Sequence, residues 1–320
     1  MSYRSNKILA LLAAAACVAA ALPTAAQATV RYVSTTGNNA NPCTLAQPCR
    51  SLQRGINRTP EGGELRILDS GNYGNNANIA KSMTISGNGN TAVLGNPITI
   101  TESNAKVVLR RLVLNGEGSV AHAVDITAAA AVHIARCIIR NFTSDGIRLT
   151  AANSKLFVNR SVVRDNGGRG LFANAAGAKL AIDDSRFETN GSHGISVGGD
   201  VQAILSHVAS SGNGSSGILS SGARMAVLWT TSANNRLAGF HAFGGAQMAI
   251  EFSEAHGNTD GLLITGSTTR AMVSNSTFVN NQTGVNNTSI SLTFLTSLNN
   301  TVSGNTTADR IGSYEHLARR

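Results

Sequence analysis

Short apolar segments with a period of two recur through the middle of the chain. Apolar residues occupy every second position in 132–134, 156–158, 180–182 and 225–227. This period is typical of half-buried β-strands, because successive side chains of a strand point to opposite faces. A second short apolar segment and an asparagine-bearing turn follow in each unit. The pattern therefore predicts short strands joined by tight turns rather than helices.

A glycine followed by an apolar residue closes each unit and begins a third strand. Successive glycines are separated by 24, 24, 23, 22, 22 and 23 residues. A fixed period of this length is typical of a solenoid, in which each repeat packs on its neighbours. Three short strands in 22 to 24 residues do not suit a helical or leucine-rich repeat, so each unit is predicted to be one coil of a parallel β-helix. The glycines are Gly146, Gly170, Gly194, Gly217, Gly239, Gly261 and Gly284.

The recurrent glycine and asparagine residues are interpreted as scaffold. Glycine is expected where φ must be positive or where the backbone runs close to the next coil. Asparagine tolerates similar turns, and stacked asparagine side chains can hydrogen-bond from coil to coil. The turn asparagines are Asn141, Asn166, Asn190, Asn213, Asn235, Asn258 and Asn281.

The coil pattern resembles that of the right-handed parallel β-helix proteins of the pectate lyase and polygalacturonase superfamily. The resemblance covers residues 65–305 and bears on the fold more than on the function. It implies an all-β fold in which every coil contributes three strands around a narrow apolar core. Residues 29–64 resemble the opening of many secreted bacterial β-helix proteins, where a first strand, a cysteine loop and a short helix cap the solenoid. Residues 306–320 are predicted to form a polar tail.

Residues 1–28 have the features of a secretory signal peptide. Basic residues precede an apolar run at 8–22, and a small-x-small cleavage signal ends at Ala28. We expect cleavage after Ala28, no transmembrane segment in the mature chain, and a location in the periplasm or outside the cell. A lipoprotein signal ending at Cys17 is a weaker alternative.

Two cysteines lie in a short loop within the predicted cap. Cys43 and Cys49 are separated by five residues, with a proline before each. An oxidising compartment favours a disulfide between them, whereas a metal site would need further ligands. Cys137 occupies an inward strand position shared with Ser161 and Ser185, and we expect it to be buried and inert.

Composition and charge restrict the partners of the chain. Charged residues make up 13% and aromatic residues 4%, which suits one elongated domain with an aliphatic core. Loss of residues 1–28 changes the formal net charge from +9 to +7. A basic exported protein suggests an acidic polysaccharide or an anionic cell surface as partner. No Lys/Arg run with interleaved aromatic residues is present, so nucleic acid is not expected. We expect a monomer.

The position before each recurrent glycine holds an unusual number of ionisable residues. Because equivalent residues of successive coils stack about 4.8 Å apart, these side chains are predicted to form a column. Neighbouring columns hold Arg140 and Arg164 on one side and Arg148 and His241 on the other. The column itself comprises His122, Asp145, Arg169, His193, Ser216, Ala238 and Asp260.

An acid, a guanidinium and an imidazole on one face could act on a uronic acid polymer. Arg169 could pair with the sugar carboxylate and stabilise the charge formed when the C5 proton leaves. His193 or His122 could take that proton, with Asp145 orienting Arg169 or the imidazole of His122. This is lyase or epimerase chemistry, and it uses four predicted catalytic residues. The predicted substrate-binding residues are Arg140, Arg148, Arg164 and His241.

Two segments resemble polygalacturonase motifs, but their arrangement does not suit hydrolysis. The segment 192–198 resembles the family's Gly-His-Gly-Ile-Ser motif, and 258–261 resembles its Asn-Thr-Asp motif, in the reverse order. The coil between Asp145 and His193 carries Arg169 where the family carries paired acids, and inverting hydrolysis requires such a pair. No outward cluster of acids suits calcium, and no metal or other cofactor is expected.

Two classes of function remain open. One is a lyase- or epimerase-like protein acting on acidic polysaccharide at the column around Arg169. The other is a non-catalytic solenoid that binds glycans or a cell surface, or forms a structural or adhesive rod. The nearly constant coil length predicts short loops and therefore no deep cleft.

Overall fold

The protein is an all-β, right-handed parallel β-helix of about 10 coils, and its described residues include one short helix, which precedes the coils. A computed structural model describes residues 29–74, 77–289, 294–297 and 299–316. The predicted fold class is therefore confirmed. The predicted signal peptide and Cys17 lie outside the described residues.

Each coil contributes one strand to each of three sheets, and the strands of a sheet are parallel and one coil apart in sequence. The first strand of each coil belongs to sheet 1, which has 13 strands among the described residues. These strands are β1 Val30–Val33, β2 Glu64–Ile67, β5 Met83–Ser86, β8 Lys106–Arg110, β11 Ala131–Ala135, β14 Lys155–Asn159, β17 Lys179–Asp183, β20 Gln202–Ser206, β23 Arg224–Leu228, β26 Gln247–Glu251, β29 Arg270–Ser274, β32 Phe294–Thr296 and β35 Glu315–His316.

Sheet 2 follows sheet 1 after a sharp bend and has 11 short strands in the described part of the chain. They are β3 Gly71–Asn72, β6 Thr91–Val93, β9 Val113–Asn115, β12 Ile138–Arg140, β15 Val162–Arg164, β18 Arg186–Glu188, β21 Ala209–Ser211, β24 Thr231–Ala233, β27 Glu254–His256, β30 Thr277–Val279 and β33 Thr301–Ser303.

Sheet 3 follows the asparagine-bearing turn, and the described residues give it 11 strands. They are β4 Ala77–Ile79, β7 Ile98–Thr101, β10 Val124–Ala128, β13 Ile147–Leu149, β16 Leu171–Asn174, β19 Ile195–Gly198, β22 Ile218–Ser221, β25 Ala238–Phe243, β28 Asp260–Thr265, β31 Thr283–Asn287 and β34 Ala308–Ile311.

The core is a narrow column of aliphatic side chains between the three sheets. In β14, Leu156 and Val158 are buried, whereas Lys155 is exposed, so the period of two separates inside from outside. The register repeats this pattern, because Leu156 pairs with Leu180 and Val158 with Ile182 in the next coil. Equivalent apolar positions therefore stack along the whole solenoid.

The asparagine turn forms the predicted ladder. Each buried Asn side chain donates through Nδ2 to Oδ1 of the Asn in the next coil, at 2.9 to 3.3 Å. Asn141 is not a member of the ladder, because Phe142 occupies the ladder position of that coil. The N–H of Phe142 donates to Asn166 Oδ1. The ladder comprises Asn166, Asn190, Asn213, Asn235, Asn258, Asn281 and Asn305.

The recurrent glycines serve close packing rather than a positive φ. The backbone of Gly170 does not adopt a positive φ. A Cβ at Gly170 would lie 2.6 Å from the carbonyl oxygen of Gly194 and 2.9 Å from Asn190 Nδ2. Of the two reasons expected for these glycines, the close approach of neighbouring coils is therefore the one that applies.

The N-terminal end of the solenoid is capped by helix α1, Leu52–Arg58. The side chain of Ser51 accepts a hydrogen bond from the N–H of Arg54 and caps the helix. Leu52 and Ile56 are buried, and Cys43 and Cys49 form the predicted disulfide. The described residues contain no helix long and apolar enough to cross a membrane.

The solenoid continues close to the C-terminus. Strand β34 pairs with β31, and β35 pairs with β32. Both lie within residues 306–320, which the sequence analysis assigned to a polar tail. The domain boundaries themselves stay predictions.

Candidate functional site on sheet 3

The predicted column lies at the start of the sheet 3 strands, and hydrogen bonds connect its members. The N–H of Asp145 donates to His122 Nδ1 at 3.2 Å, and the N–H of Arg169 donates to Asp145 Oδ1 at 2.9 Å. The N–H of Ser216 donates to His193 Nδ1 at 3.2 Å. The structure therefore places the four predicted catalytic residues in consecutive coils on one edge of sheet 3.

Asp145 and Phe172 hold the guanidinium of Arg169. Asp145 is buried, and its Oδ1 lies 3.7 Å from Arg169 Nε. The Arg169 Cζ lies 3.9 Å from the centroid of the Phe172 ring, a favourable cation–π arrangement. One third of the Arg169 side chain remains exposed. Asp145 was predicted to orient either Arg169 or the imidazole of His122. Its carboxylate contacts Arg169, whereas its contact with His122 is made by the backbone N–H.

His193 is a neutral hydrogen-bond donor next to Arg169. Burial, and then the positive charge of Arg169, lower the pKa of His193. Its Nδ1 accepts the Ser216 N–H, so the proton of the neutral ring resides on Nε2. A guanidinium and an imidazole N–H therefore lie in adjacent coils, about 4.8 Å apart along the solenoid.

His241 belongs to the same neighbourhood. Its Nδ1 lies 3.4 Å from Ser216 Oγ, and its Nε2 lies 3.2 Å from Thr265 Oγ1. Burial, and to a smaller extent His193, lower the pKa of His241 to about 4. His241 is therefore neutral at physiological pH, and the structure brings this predicted binding residue close to the column.

A shallow depression of about 320 Å³ lies beside Arg169 and His193. Its floor includes Phe172 and Leu219, which sequence reasoning did not select. Both occupy the outward column of sheet 3 that also holds Arg148 and His241, so this register was the signal that could have found them. None of the described residues that line the depression is acidic.

The other predicted binding residues are dispersed. Arg148 pairs in register with Phe172 and lies 3.9 Å from Asp125 Oδ2. Arg140 and Arg164 lie in sheet 2, on the other side of the asparagine turn, and Arg164 contacts Asp165 at 2.7 Å. The structure therefore brings Arg148 to the edge of the site and leaves Arg140 and Arg164 outside it.

The arrangement suits anion binding better than metal binding. Among the described residues, no group of three or more His, Cys, Asp or Glu side chains is placed to hold a metal ion. The polar groups that line the depression include the donors of Arg169, His193 and Ser192 and the amide of the exposed Asn174. Such a set suits a carboxylate.

Comparisons with known proteins show the same fold. A family model of the right-handed β-helix region matches residues 170–314. The solved structure of pectate lyase Pel9A superimposes with a TM-score of 0.60 at 12% identity, over 78% of this chain and 76% of that one. The ORF18 protein of Geobacillus virus E2 gives a TM-score of 0.53 at 14% identity, over 89% of this chain and 60% of that chain.

The A-module of the Azotobacter vinelandii mannuronan C-5 epimerase AlgE4 is a weaker structural match. It gives a TM-score of 0.43 at 14% identity, over 76% of this chain and 91% of that chain. No curated protein matches the sequence. The likeness to solved structures therefore establishes the β-helix and leaves the function to the site itself.

Proposed function

We propose that the protein is exported and binds an acidic polysaccharide on sheet 3 without cleaving it. The observation that supports this most is the placement of two outward donors, Arg169 and His193, in adjacent coils beside a depression with no acidic lining among the described residues. A uronic acid residue would place its carboxylate against Arg169. Phe172 and Leu219 would contact the apolar face of the sugar.

Export is part of this proposal. The disulfide between Cys43 and Cys49 suits an oxidising compartment. The basic net charge of the chain complements an acidic polymer. Secretion or periplasmic retention of a monomer, after cleavage at Ala28, completes the proposal.

The hydrogen bonds of the imidazoles favour binding over catalysis. A histidine that removes a C5 proton must present a nitrogen lone pair to the substrate. The Nδ1 atoms of His193 and His122 accept backbone N–H groups, so the proton that each ring carries lies on Nε2. Neither ring presents a free base in this arrangement.

A lyase or epimerase is the second candidate function. It is favoured by one observation, the lowered pKa of His193 next to the Arg169 guanidinium. A lowered pKa keeps the imidazole unprotonated at neutral pH, as a general base must be. This function would require the His193 ring to rotate and release the Ser216 N–H.

A binding experiment with size-defined polymers tests the proposal. Calorimetry would measure the affinity for polygalacturonate, alginate and uncharged dextran. Arg169→Gln should weaken binding to the acidic polymers about tenfold, which is ~1.4 kcal/mol. Arg186→Gln is the control, because Arg186 lies in sheet 2 and pairs with Glu188. Equal losses in both variants, or equal affinity of the wild type for dextran, would refute the site.

The same samples separate binding from catalysis. Absorbance of unsaturated products reports a lyase, and nuclear magnetic resonance of the recovered polymer reports C5 inversion. We expect neither change. Turnover that disappears in His193→Gln would replace the binding proposal with the enzymatic one.

A further inference from the structure

A row of cations follows the edge of sheet 1 that comes directly after the turn from sheet 3. Equivalent positions at the start of successive strands are Lys155, Lys179, Gln202, Arg224, Gln247 and Arg270. All six residues are exposed, and none is acidic. We call this set the basic row.

The cations of the basic row have no carboxylate partners in the described part of the chain. In the described part of the chain, Lys155, Lys179, Arg224 and Arg270 form no ion pair within 4.0 Å. Seven described arginines outside the row do form such pairs and can serve as paired controls, namely Arg66, Arg110, Arg148, Arg160, Arg164, Arg169 and Arg186.

One step of the basic row stacks two like charges and carries an energetic cost. Lys155 and Lys179 pair directly in register, and like charges opposite one another destabilise a sheet. A bound polyanion would remove this repulsion. The row therefore has the properties of a surface whose counter-charge comes from a ligand.

An apolar strip runs beside the basic row. Two residues further along the same strands, the outward positions include Phe157, Ile204 and Met272, with alanines between them. Ile204 is 55% exposed and Met272 46% exposed, which is high for large apolar side chains. The strip and the row together line a groove of about 780 Å³.

We infer that this groove binds a linear acidic polysaccharide lying along the solenoid axis. Its carboxylates would face the basic row, and the apolar faces of its pyranose rings would lie on the strip. The inference rests on the ligand class proposed above and adds a second surface to the sheet 3 site.

The shape of the charge distribution favours a linear polymer over a flat anionic membrane. The row is one residue wide, and its cations extend over five coil steps, about 24 Å at the usual strand spacing. The opposite edge of sheet 1 carries Asp183 and Glu251, which would repel an anionic surface. A single chain can follow the row and avoid these acids.

The test compares two double variants that remove the same charge. Lys179→Gln/Arg224→Gln removes two cations of the basic row. Arg160→Gln/Arg186→Gln removes two exposed, paired arginines outside it. We expect the first variant to bind polygalacturonate about tenfold more weakly, or ~1.4 kcal/mol, and the second to bind nearly as the wild type does. The first should also show a weaker salt dependence.

A second double variant and polymers of different lengths make the test more specific. Lys155→Gln/Arg270→Gln removes the ends of the row and should weaken long polymers more than oligomers shorter than the row. Equal losses in the Arg160→Gln/Arg186→Gln control, or no loss in either row variant, would overturn the inference. Vesicles of phosphatidylcholine and phosphatidylglycerol supply the competing ligand. Row-dependent vesicle binding with unchanged polymer binding would also overturn it.

The outcome is separable from that of the sheet 3 site. Arg169→Gln tests that site alone, because the basic row lies on a different sheet. A loss only in Arg169→Gln contradicts the second surface and leaves the first proposal intact. A loss only in the row variants supports the second surface and refutes the first site.

Discussion

The carboxylate of Asp145 contacts both the backbone N–H and the side chain of Arg169. Asp145 Oδ1 accepts the Arg169 N–H at 2.9 Å and lies 3.7 Å from Arg169 Nε. The carboxylate is buried, and its hydrogen bond to the Arg169 N–H holds the backbone that carries the guanidinium. The role of Asp145 is therefore to position Arg169, and it can be tested by stability as well as by binding.

Replacement of Asp145 should destabilise the coil that it joins. Asp145→Ala leaves the Arg169 N–H without its acceptor, which should lower the free energy of unfolding by about 1–3 kcal/mol. Asp145→Asn retains a side-chain oxygen and should cost less. Urea denaturation gives both values. Asp125→Asn is the control, because Asp125 contacts Arg148 at 3.9 Å, a long ion pair that should contribute under about 0.5 kcal/mol. A larger loss in Asp125→Asn than in Asp145→Ala would contradict this role.

The stability of the protein should fall as the pH is lowered from about 6.5 to 4 because of His241. Burial, followed by His193, lowers the pKa of His241 to about 4. Between these values the unfolded chain binds a proton that the folded protein does not bind, so the free energy of unfolding rises with pH across this window. The contribution is at most roughly 3 kcal/mol.

The variant His241→Gln isolates this titration. Glutamine can still hydrogen-bond Ser216 and Thr265, yet it does not titrate. Urea midpoints between pH 4 and 6.5 should therefore vary less steeply in the variant than in the wild type. The lowered pKa of His193 acts in the same direction and leaves a residual slope. Identical slopes in the two proteins would show that His241 has no such role.

The repeat period was sufficient to predict the fold and the column. Once Gly146 and Gly170 were aligned, the register of neighbouring coils followed, and with it the adjacency of Asp145 and Arg169. The ladder followed from the same alignment. These features are periodic, so one correct coil predicts its neighbours.

The exceptions to the period could not be predicted in this way. The bend between sheets 1 and 2 uses a positive φ at residues as large as Trp229, at 46°, and Phe252, at 49°. Sequence preference would assign such a bend to glycine or asparagine. Likewise, the protonated nitrogen of His193 depends on the Ser216 N–H, a contact between coils that no local pattern specifies.

The asparagine ladder should contribute much of the cooperativity between coils. Asn213 is fully buried, and its Oδ1 accepts the N–H of Asn190 at 3.1 Å. Its Nδ2 donates to Asn235 Oδ1 and to the carbonyl oxygen of Phe187. Asn213→Ala removes these bonds inside the core, and we expect a loss of about 3 kcal/mol.

The end of the ladder provides the control for Asn213→Ala. Asn305 lies at the partly exposed terminus of the ladder, where water can replace its side chain. Asn305→Ala should cost about 1 kcal/mol in the same urea titration. Comparable losses at the two positions would indicate that the ladder contributes locally and does not couple the coils.

The recurrent glycines should tolerate no side chain. A Cβ at Gly194 would collide with Ser210 Oγ and lie 2.7 Å from the carbonyl oxygen of Gly217. Because the ladder and the next coil hold these atoms, Gly194→Ala should destabilise the protein by about 1–3 kcal/mol or more. Gly198 ends strand β19, which Gly194 precedes, and a Cβ at Gly198 would have its nearest neighbour, the Asn174 side chain, at 3.5 Å. Gly198→Ala should therefore change the urea midpoint little, and equal effects of the two substitutions would disprove the packing explanation.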